Sequence, residues 1–238
     1  MIGRLIDFGR RTWSRQRRAR MLASYRKLHV GAGASIDSSV QVYGWKNVRI
    51  GRDTILCEET LINAMNRETD DITLAIGDHC FIGRRNYFNT GRDIRVGDYC
   101  LTANDCQFLG SDHNIESPFV PYLVSGAVTD KSIVLGPNCW LGQGATLLKG
   151  VSIGYGSVIG ARTVVTANVP PLSIVVGHPG RIVKRFSLPR QTWVLTGEFT
   201  AEDDAALPPE TEYLAQLRRT HPAVRGPLAG SSREFGDF

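Results

Sequence analysis

Aromatic residues are scarce in this 238-residue chain, at 8%, and no stretch of it approaches an uninterrupted apolar run of the length a spanning helix needs, roughly 20 residues. A membrane-spanning helix is therefore not expected. Cysteine is nearly as sparse: Cys57, Cys80, Cys100, Cys106 and Cys139 form an odd set without a CxxC pair. That suggests neither a disulfide framework nor a zinc knuckle, and the five read as reduced, small, apolar side chains. Arginines crowd the N-terminus too densely for a secretory signal, so a cytoplasmic setting is expected. The hydrophobic share of 42% excludes a disordered polymer and is enough for one sizeable core.

The net charge of +5 is unevenly spread. Residues 1–29 hold nine Lys/Arg against the single acid Asp7, which is +8 and leaves the remainder of the chain at −3. A basic arm thus precedes a mildly acidic body. The body has no long basic stripe for tracking phosphates, so no nucleic-acid partner is expected.

What the chain does have is a repeat. From Leu135 an aliphatic residue recurs every six positions, as Leu135, Leu141, Leu147, Ile153, Ile159 and Val165. Four places after the first five come Cys139, Ala145, Val151, Ser157 and Thr163, all small or β-branched, and glycine often follows the aliphatic. The same step runs upstream in threes: Val30, Ile36, Val42; Ile50, Leu56, Ile62; Ile76, Ile82, Phe88; Val96, Thr102, Phe108. Only Thr102 is not apolar. About two extra residues follow Val42, eight follow Ile62, two follow Phe88 and twenty-one follow Phe108. Each insertion comes after a third hexapeptide, so all leave a three-sided coil at one corner. Neither the three-and-four spacing of a helix nor the period of two of a sandwich fits. The reading is a parallel β-solenoid of six coils over about residues 30–165, with the aliphatics stacked inside a narrow prism. Glycine beside the aliphatic is expected to supply permissive turn geometry.

The stretch Leu135-Gly-Pro-Asn-Cys-Trp-Leu-Gly-Gln-Gly, continuing through Val164-Val-Thr-Ala-Asn-Val-Pro-Pro to Val176-Gly-His-Pro-Gly-Arg181, resembles the left-handed β-helix acyltransferases. Within them it is most similar to the galactoside, maltose and exopolysaccharide O-acetyltransferase branch. The resemblance covers about residues 28–186 and implies an all-β, left-handed parallel β-helix. It also implies a homotrimer with active sites between subunits and acetyl-CoA as the donor, with no metal required. The left hand comes from the resemblance alone, since the usual crossover rule favours the other hand. The chain then divides into a basic amphipathic arm at 1–27, the β-helix domain at 28–186 with an inserted loop at 109–132, and a C-terminal extension at 187–238.

Acetyl transfer from a thioester to a hydroxyl needs a base for the alcohol proton, a donor for the oxyanion and a slot that aligns both substrates. His113 lies in the largest insertion, Gly110-Ser-Asp-His-Asn-Ile-Glu-Ser-Pro-Phe, and the resemblance places a catalytic histidine there. A neutral imidazole suits the base role. Asp112 and Glu116 are near enough in sequence to hold its second nitrogen or to meet the acceptor, and a backbone carbonyl would serve as well. His29, His79, His178 and His221 read as structural or solvated. Asn86 occupies a small-residue position, where its amide either bridges coils or faces the acceptor, as the family's acceptor-binding Asn does; Asn104 is a weaker candidate. For the donor, the resemblance assigns the pantetheine arm to Trp140, Gly142, Gln143 and Ala161, with backbone N–H groups at Gly142 and Ala161. It assigns the nucleotide end of coenzyme A to Thr166, Arg181 and Lys184, where cations suit phosphate. Trp140 reads equally as an aromatic at a subunit boundary, and Ala167 stands where the family often has lysine.

The expected function is acetyl-CoA-dependent O-acetylation of a sugar or polysaccharide precursor, by direct attack through a tetrahedral intermediate. N-acetylation of an amino sugar or acetylation of an antibiotic would use the same base and slot. A non-catalytic assembly solenoid is a further alternative. A carbonic-anhydrase-type metal site needs three convergent histidines, whereas only His79 and His113 lie in coils or their loops. The arm, with Ile2, Leu5, Ile6, Trp13, Leu22 and Tyr25 among arginines, is expected to form an irregular amphipathic helix. Capping the first coil is preferred over packing on another subunit or peripheral contact with an anionic membrane. Pro170-Pro171 is expected to end the solenoid, with a short helix or two and a flexible end beyond.

Overall fold

A computed structural model describes residues 23–224 except Arg26. The expected amphipathic arm lies almost wholly outside the described residues, as does the end of the chain beyond 224. Among the described residues the backbone winds as a parallel β-helix whose strands gather into three sheets, one for each side of a prism. The first face comprises Val48–Ile50, Leu74–Ile76, Asp93–Val96, Ser132–Leu135 and Ser152–Ile153. The second face runs from Ser35–Ile36 through Ile55–Leu56, Phe81–Ile82, Leu101–Thr102, Trp140–Leu141 and Val158–Ile159 to Ser173–Val176. The third comprises Gln41–Tyr43, Leu61–Asn63, Tyr87–Asn89, Gln107–Leu109, Thr146–Leu148 and Val164–Val165.

The six-residue step fixes the register. Leu56 pairs with Ile82, Ile82 with Thr102, Thr102 with Leu141 and Leu141 with Ile159, each one coil from the last. On the third face Ile62, Phe88, Phe108, Leu147 and Val165 stack the same way. These side chains are essentially inaccessible to solvent, and the Phe88 and Phe108 rings lie parallel with centroids 4.3 Å apart. Burial of such side chains contributes roughly 1.5–3 kcal/mol each before entropic costs. All four insertions leave between the third face of one coil and the first face of the next, here called the third corner.

Two corners are tight four-residue turns, and they correct the expected role of glycine. At the first corner, between first and second faces, the left-handed backbone falls on Asp53, His79, Tyr99 and Asn138, not on the glycine two places earlier. Glycine is needed there because coils touch: a Cβ on Gly51 would sit 2.3 Å from the Gly77 carbonyl carbon. The small residue closing each turn donates to the next coil. Thr54 Oγ1 reaches the Gly77 carbonyl at 2.7 Å, Cys80 Sγ that of Gly97 at 3.2 Å and Cys100 Sγ that of Gly136 at 3.3 Å. At the second corner, between second and third faces, Thr60 Oγ1 bonds the Gly83 carbonyl at 3.2 Å in the same manner. Cys80, Cys100, Cys106 and Cys139 are thus rungs of a hydroxyl and thiol ladder, and all five cysteines are free and buried.

The prism does not end at Pro170-Pro171. One more second-face strand, Ser173–Val176, pairs in parallel with Val158–Ile159 before the chain reverses into antiparallel Arg181–Ser187 and Thr192–Leu195. The prolines fill a corner, where Pro171 packs against Gly154 as Pro137 does against Gly97. Two helices follow, Ala201–Ala205 and Glu210–Thr220. The second returns along the first corner: Tyr213 stacks on Tyr155 at 4.4 Å and accepts from Asn138 Nδ2 at 2.6 Å, and Arg218 pairs with Asp98 at 2.7 Å. Tyr99 Oη donates to the His221 carbonyl, and His79 Nδ1 lies 3.1 Å from that of Val224. The extension therefore covers the first corner from the last coil back to the third. His79 and His221 are occupied with this strap, and His29 Nδ1 lies 3.1 Å from the Val48 carbonyl.

Candidate active site

The longest insertion, between Leu109 and Ser132, folds into a two-stranded antiparallel ribbon in which Asp112 opposes Val128 and His113 opposes Ala127. Beside it is a cavity of about 560 Å³ lined by Asp112, His113, Asn114, Ile115, Glu116, Tyr122, Val128 and Lys149. His113 is exposed, and its ring has no hydrogen-bond partner among the described residues. Neither expected orienting group holds it. The Asp112 carboxylate turns to Lys149 Nζ at 3.2 Å, while Glu116 is engaged by Asn114, whose Nδ2 lies 3.4 Å from Glu116 Oε2. Both acids nevertheless line the cavity with the imidazole.

Asn86 takes the coil-bridging alternative. It is buried at the second corner, where Nδ2 donates to the Gly83 carbonyl at 2.7 Å and to the Ala103 carbonyl in the next coil at 2.9 Å. Its Nδ2 is a rung of the ladder that Thr60 and Cys106 continue, while its buried Oδ1 has no partner among the described residues. Asn104 is likewise structural: its Oδ1 accepts from the Arg84 backbone at 3.0 Å.

Among the described residues neither loop nor strap covers the second corner. Gly142 and Gln143 lie on it, with Ala161 one coil further. The Gly142 N–H is already spent on the Ile159 carbonyl at 2.7 Å, so it cannot serve a pantetheine arm as expected. Its glycine answers to packing, since a Cβ there would meet Ala161 N at 2.6 Å. Ala161 is exposed and its N–H has no partner among the described residues. Gln143 Nε2 points to Asp105 Oδ2 at 3.4 Å, and Asp105 is held below the ordinary carboxylate range by the Arg85 guanidinium. Burial pushes the nearby Cys106 thiol up to about 11, which leaves it unsuited to covalent catalysis.

The turn after Val176 folds over the end of this corner, with Gly177 accepting from Val164 N at 3.1 Å and Gly180 donating back to the Val164 carbonyl at 2.8 Å. Arg181 leaves the turn exposed, its guanidinium meeting only the Gly180 carbonyl among the described residues. Lys184 is exposed and has no carboxylate partner among the described residues, whereas Arg185 is committed to Asp204 at 3.1 Å and to the Phe199 ring. Thr166 is exposed just past the last third-face strand. A free N–H followed by unpaired cations fits a carbonyl-bearing arm ending in phosphates. Trp140, half exposed, lies on the outer second face between Leu101 and Val158, in an apolar stripe with Ile55, Phe81 and Ile174. His113 and the donor-side residues thus occupy different corners of one chain.

Two features were not anticipated. Lys149 follows the third-face strand of the fifth coil and reaches the cavity, and nothing in the repeat marks it. Outside the third face, Asn63 Nδ2 donates to Asn89 Oδ1 at 3.2 Å and Asn89 Nδ2 to Ser111 Oγ at 2.6 Å, tying the root of the loop to two coils. Its signal was available, because both asparagines directly follow an inward residue, Ile62 or Phe88.

Residues 132–167 match the family model described as bacterial transferase hexapeptide (six repeats). A Staphylococcus aureus protein (strain Mu50) bearing an acetyltransferase name is 30% identical over 154 residues, which cover 59% of this chain and 76% of that one. The chain belongs to the hexapeptide-repeat acyltransferase family. A Mycobacterium tuberculosis protein, also named an acetyltransferase, is 31% identical over 178 residues, 75% of this chain and 55% of the relative. Escherichia coli K12 WbbJ, named for lipopolysaccharide biosynthesis O-acetyl transfer, is 28% identical over 120 residues, 50% of this chain and 60% of its own. The chain thus spans little more than half the length of these last two relatives. Among solved structures, the N-acyltransferase AntD of Bacillus cereus, with dTDP and 3-hydroxybutyryl-CoA, superposes with a TM-score of 0.56 at 17% identity. That alignment covers 80% of this chain and 92% of AntD, and it supports the hexapeptide-family left-handed β-helix as the fold. Among the described residues no helix is long and apolar enough to cross a membrane, and no group of three or more His, Cys, Asp or Glu could hold a metal.

Proposed function

We propose that this family member transfers an acetyl group from acetyl-CoA to a hydroxyl of a sugar or polysaccharide precursor, with His113 as the base. One observation carries the reading: an exposed imidazole, without a partner among the described residues, at the edge of a cavity on a projecting ribbon. His113 takes the hydroxyl proton as the oxygen attacks the acetyl carbonyl; the carbon–oxygen bond forms, the carbon–sulfur bond breaks, and the proton passes to the departing thiolate. Ala161 N–H, Arg181, Lys184 and Thr166 hold the donor along the second corner. The O-acetyl transfer in the name of the E. coli relative supports the acceptor class.

Base and donor corner lie apart within one chain, so one copy's loop must approach another copy's second corner. The apolar stripe through Trp140 supports such an assembly, and the family resemblance implies that it is a homotrimer. A cytoplasmic setting suits acetyl-CoA as donor. His113→Ala should lower turnover, read as thiol release from acetyl-CoA across a sugar panel, by at least ~100-fold with the circular dichroism spectrum unchanged. Undiminished turnover would remove the imidazole from the reaction.

A further inference from the structure

In a two-residue strand, consecutive side chains leave opposite faces of the ribbon. The Asp112 carboxylate is drawn down to Lys149 Nζ at 3.2 Å, and that anchors one face of the ribbon to the fifth coil. The neighbouring imidazole takes its direction from the ribbon so anchored, and it is exposed at the cavity that Asp112 and Lys149 also line. Lys149 is itself well placed as an anchor. It is three-quarters covered, with its side chain 24% exposed, and it springs from a corner whose backbone is pinned by Gly150 N donating to the Ser132 carbonyl at 3.0 Å.

We infer that Lys149 is a positioning residue that sets the direction of the His113 ring through Asp112. The inference rests on the proposed base role of His113 and adds to it the device that aims the base. The Asp112 side chain is 64% exposed, and an ion pair of that exposure contributes little to global stability. Its effect is therefore on geometry, where a displacement of about 1 Å can cost a hundredfold in rate.

The test uses full-length protein, acetyl-CoA and whichever panel sugar gives the fastest thiol release. Lys149→Met and Asp112→Asn should each lower kcat by about 10- to 100-fold, with KM for acetyl-CoA and the melting temperature unchanged. The double variant should lose no more than the worse single one, because both break a single contact. Lys149→Arg should recover most of the activity, and the exchanged pair Asp112→Lys with Lys149→Asp should recover part of it. Additive losses, or an unchanged kcat with a raised KM for the acceptor, would overturn the inference, the latter by showing that Lys149 touches the acceptor. The two failures separate cleanly. An active His113→Ala protein defeats the base reading, whereas an inactive one beside a fully active Lys149→Met protein defeats only the positioning role.

Discussion

Replacing Ala161 by proline would remove one hydrogen-bond donor from the second corner and change little else. The turn Gly160-Ala161-Arg162, with Arg162 at φ 55°, matches Gly136-Pro137-Asn138 at the first corner, with Asn138 at φ 57°. The neighbouring coil stands equally close in both: a Cβ on Gly142 would meet Ala161 N at 2.6 Å, and one on Gly97 would meet Pro137 N at 2.6 Å. Proline is therefore already accommodated in this setting elsewhere in the same molecule. Stability should hold or rise by about 0.4–1 kcal/mol, since proline restricts the unfolded chain where its native geometry is compatible. The donor complex loses one hydrogen bond worth about 0.5–1.5 kcal/mol net, a factor of about 2 to 12 in affinity. Calorimetric titration with coenzyme A, beside thermal melts of both proteins, reads the two effects separately. Unchanged affinity in a folded variant would refute use of that N–H by the donor. A melting temperature lower by several degrees would refute the equivalence of the two turns.

Asn86→Ala should destabilise by about 1–3 kcal/mol in denaturant titrations, because two buried hydrogen bonds worth about 0.5–1.5 kcal/mol each are lost, while KM for the acceptor stays the same. A raised KM without loss of stability would return Asn86 to the acceptor site. Asp203, buried under the C-terminal hairpin, has its carboxyl pulled well below the usual range by Ser187 Oγ–H first and the Thr200 N–H next. A depressed folded value means that its stabilisation is full above the unfolded value of 3.8 and fades as pH falls below it. Asp203→Asn should therefore melt earlier at neutral pH and show a shallower acid limb between about pH 4 and 2. Parallel melting curves of variant and parent across that window would exclude the linkage.

The sixfold recurrence of aliphatics was sufficient to predict the prism, because a side chain that must stack on its copy one coil away leaves a mark at every turn. The corner of the insertions was equally legible, since their lengths follow every third hexapeptide. Other features had no periodic mark. Whether the amide of Asn86 faces a neighbouring coil or a substrate depends on which carbonyls lie within reach, as does the fate of the Gly142 N–H. The path of the C-terminal extension rests on pairings such as Asn138 with Tyr213 and Asp98 with Arg218, which join residues 75 and 120 places apart.

By itself, then, the sequence determined the architecture and the residue types able to move a proton or meet a phosphate, since stacking and ionisation are properties of residue and spacing. Tertiary structure alone decided which of those groups remain free. Among the described residues the Ala161 N–H and the His113 ring are left without a partner and Arg181 meets no carboxylate, while the Gly142 N–H, Asn86 Nδ2 and Arg185 Nη1 are consumed by their surroundings. A hydrogen bond or an ion pair is settled by distance in space, and two residues far apart in the chain acquire that distance only when the coils close over one another.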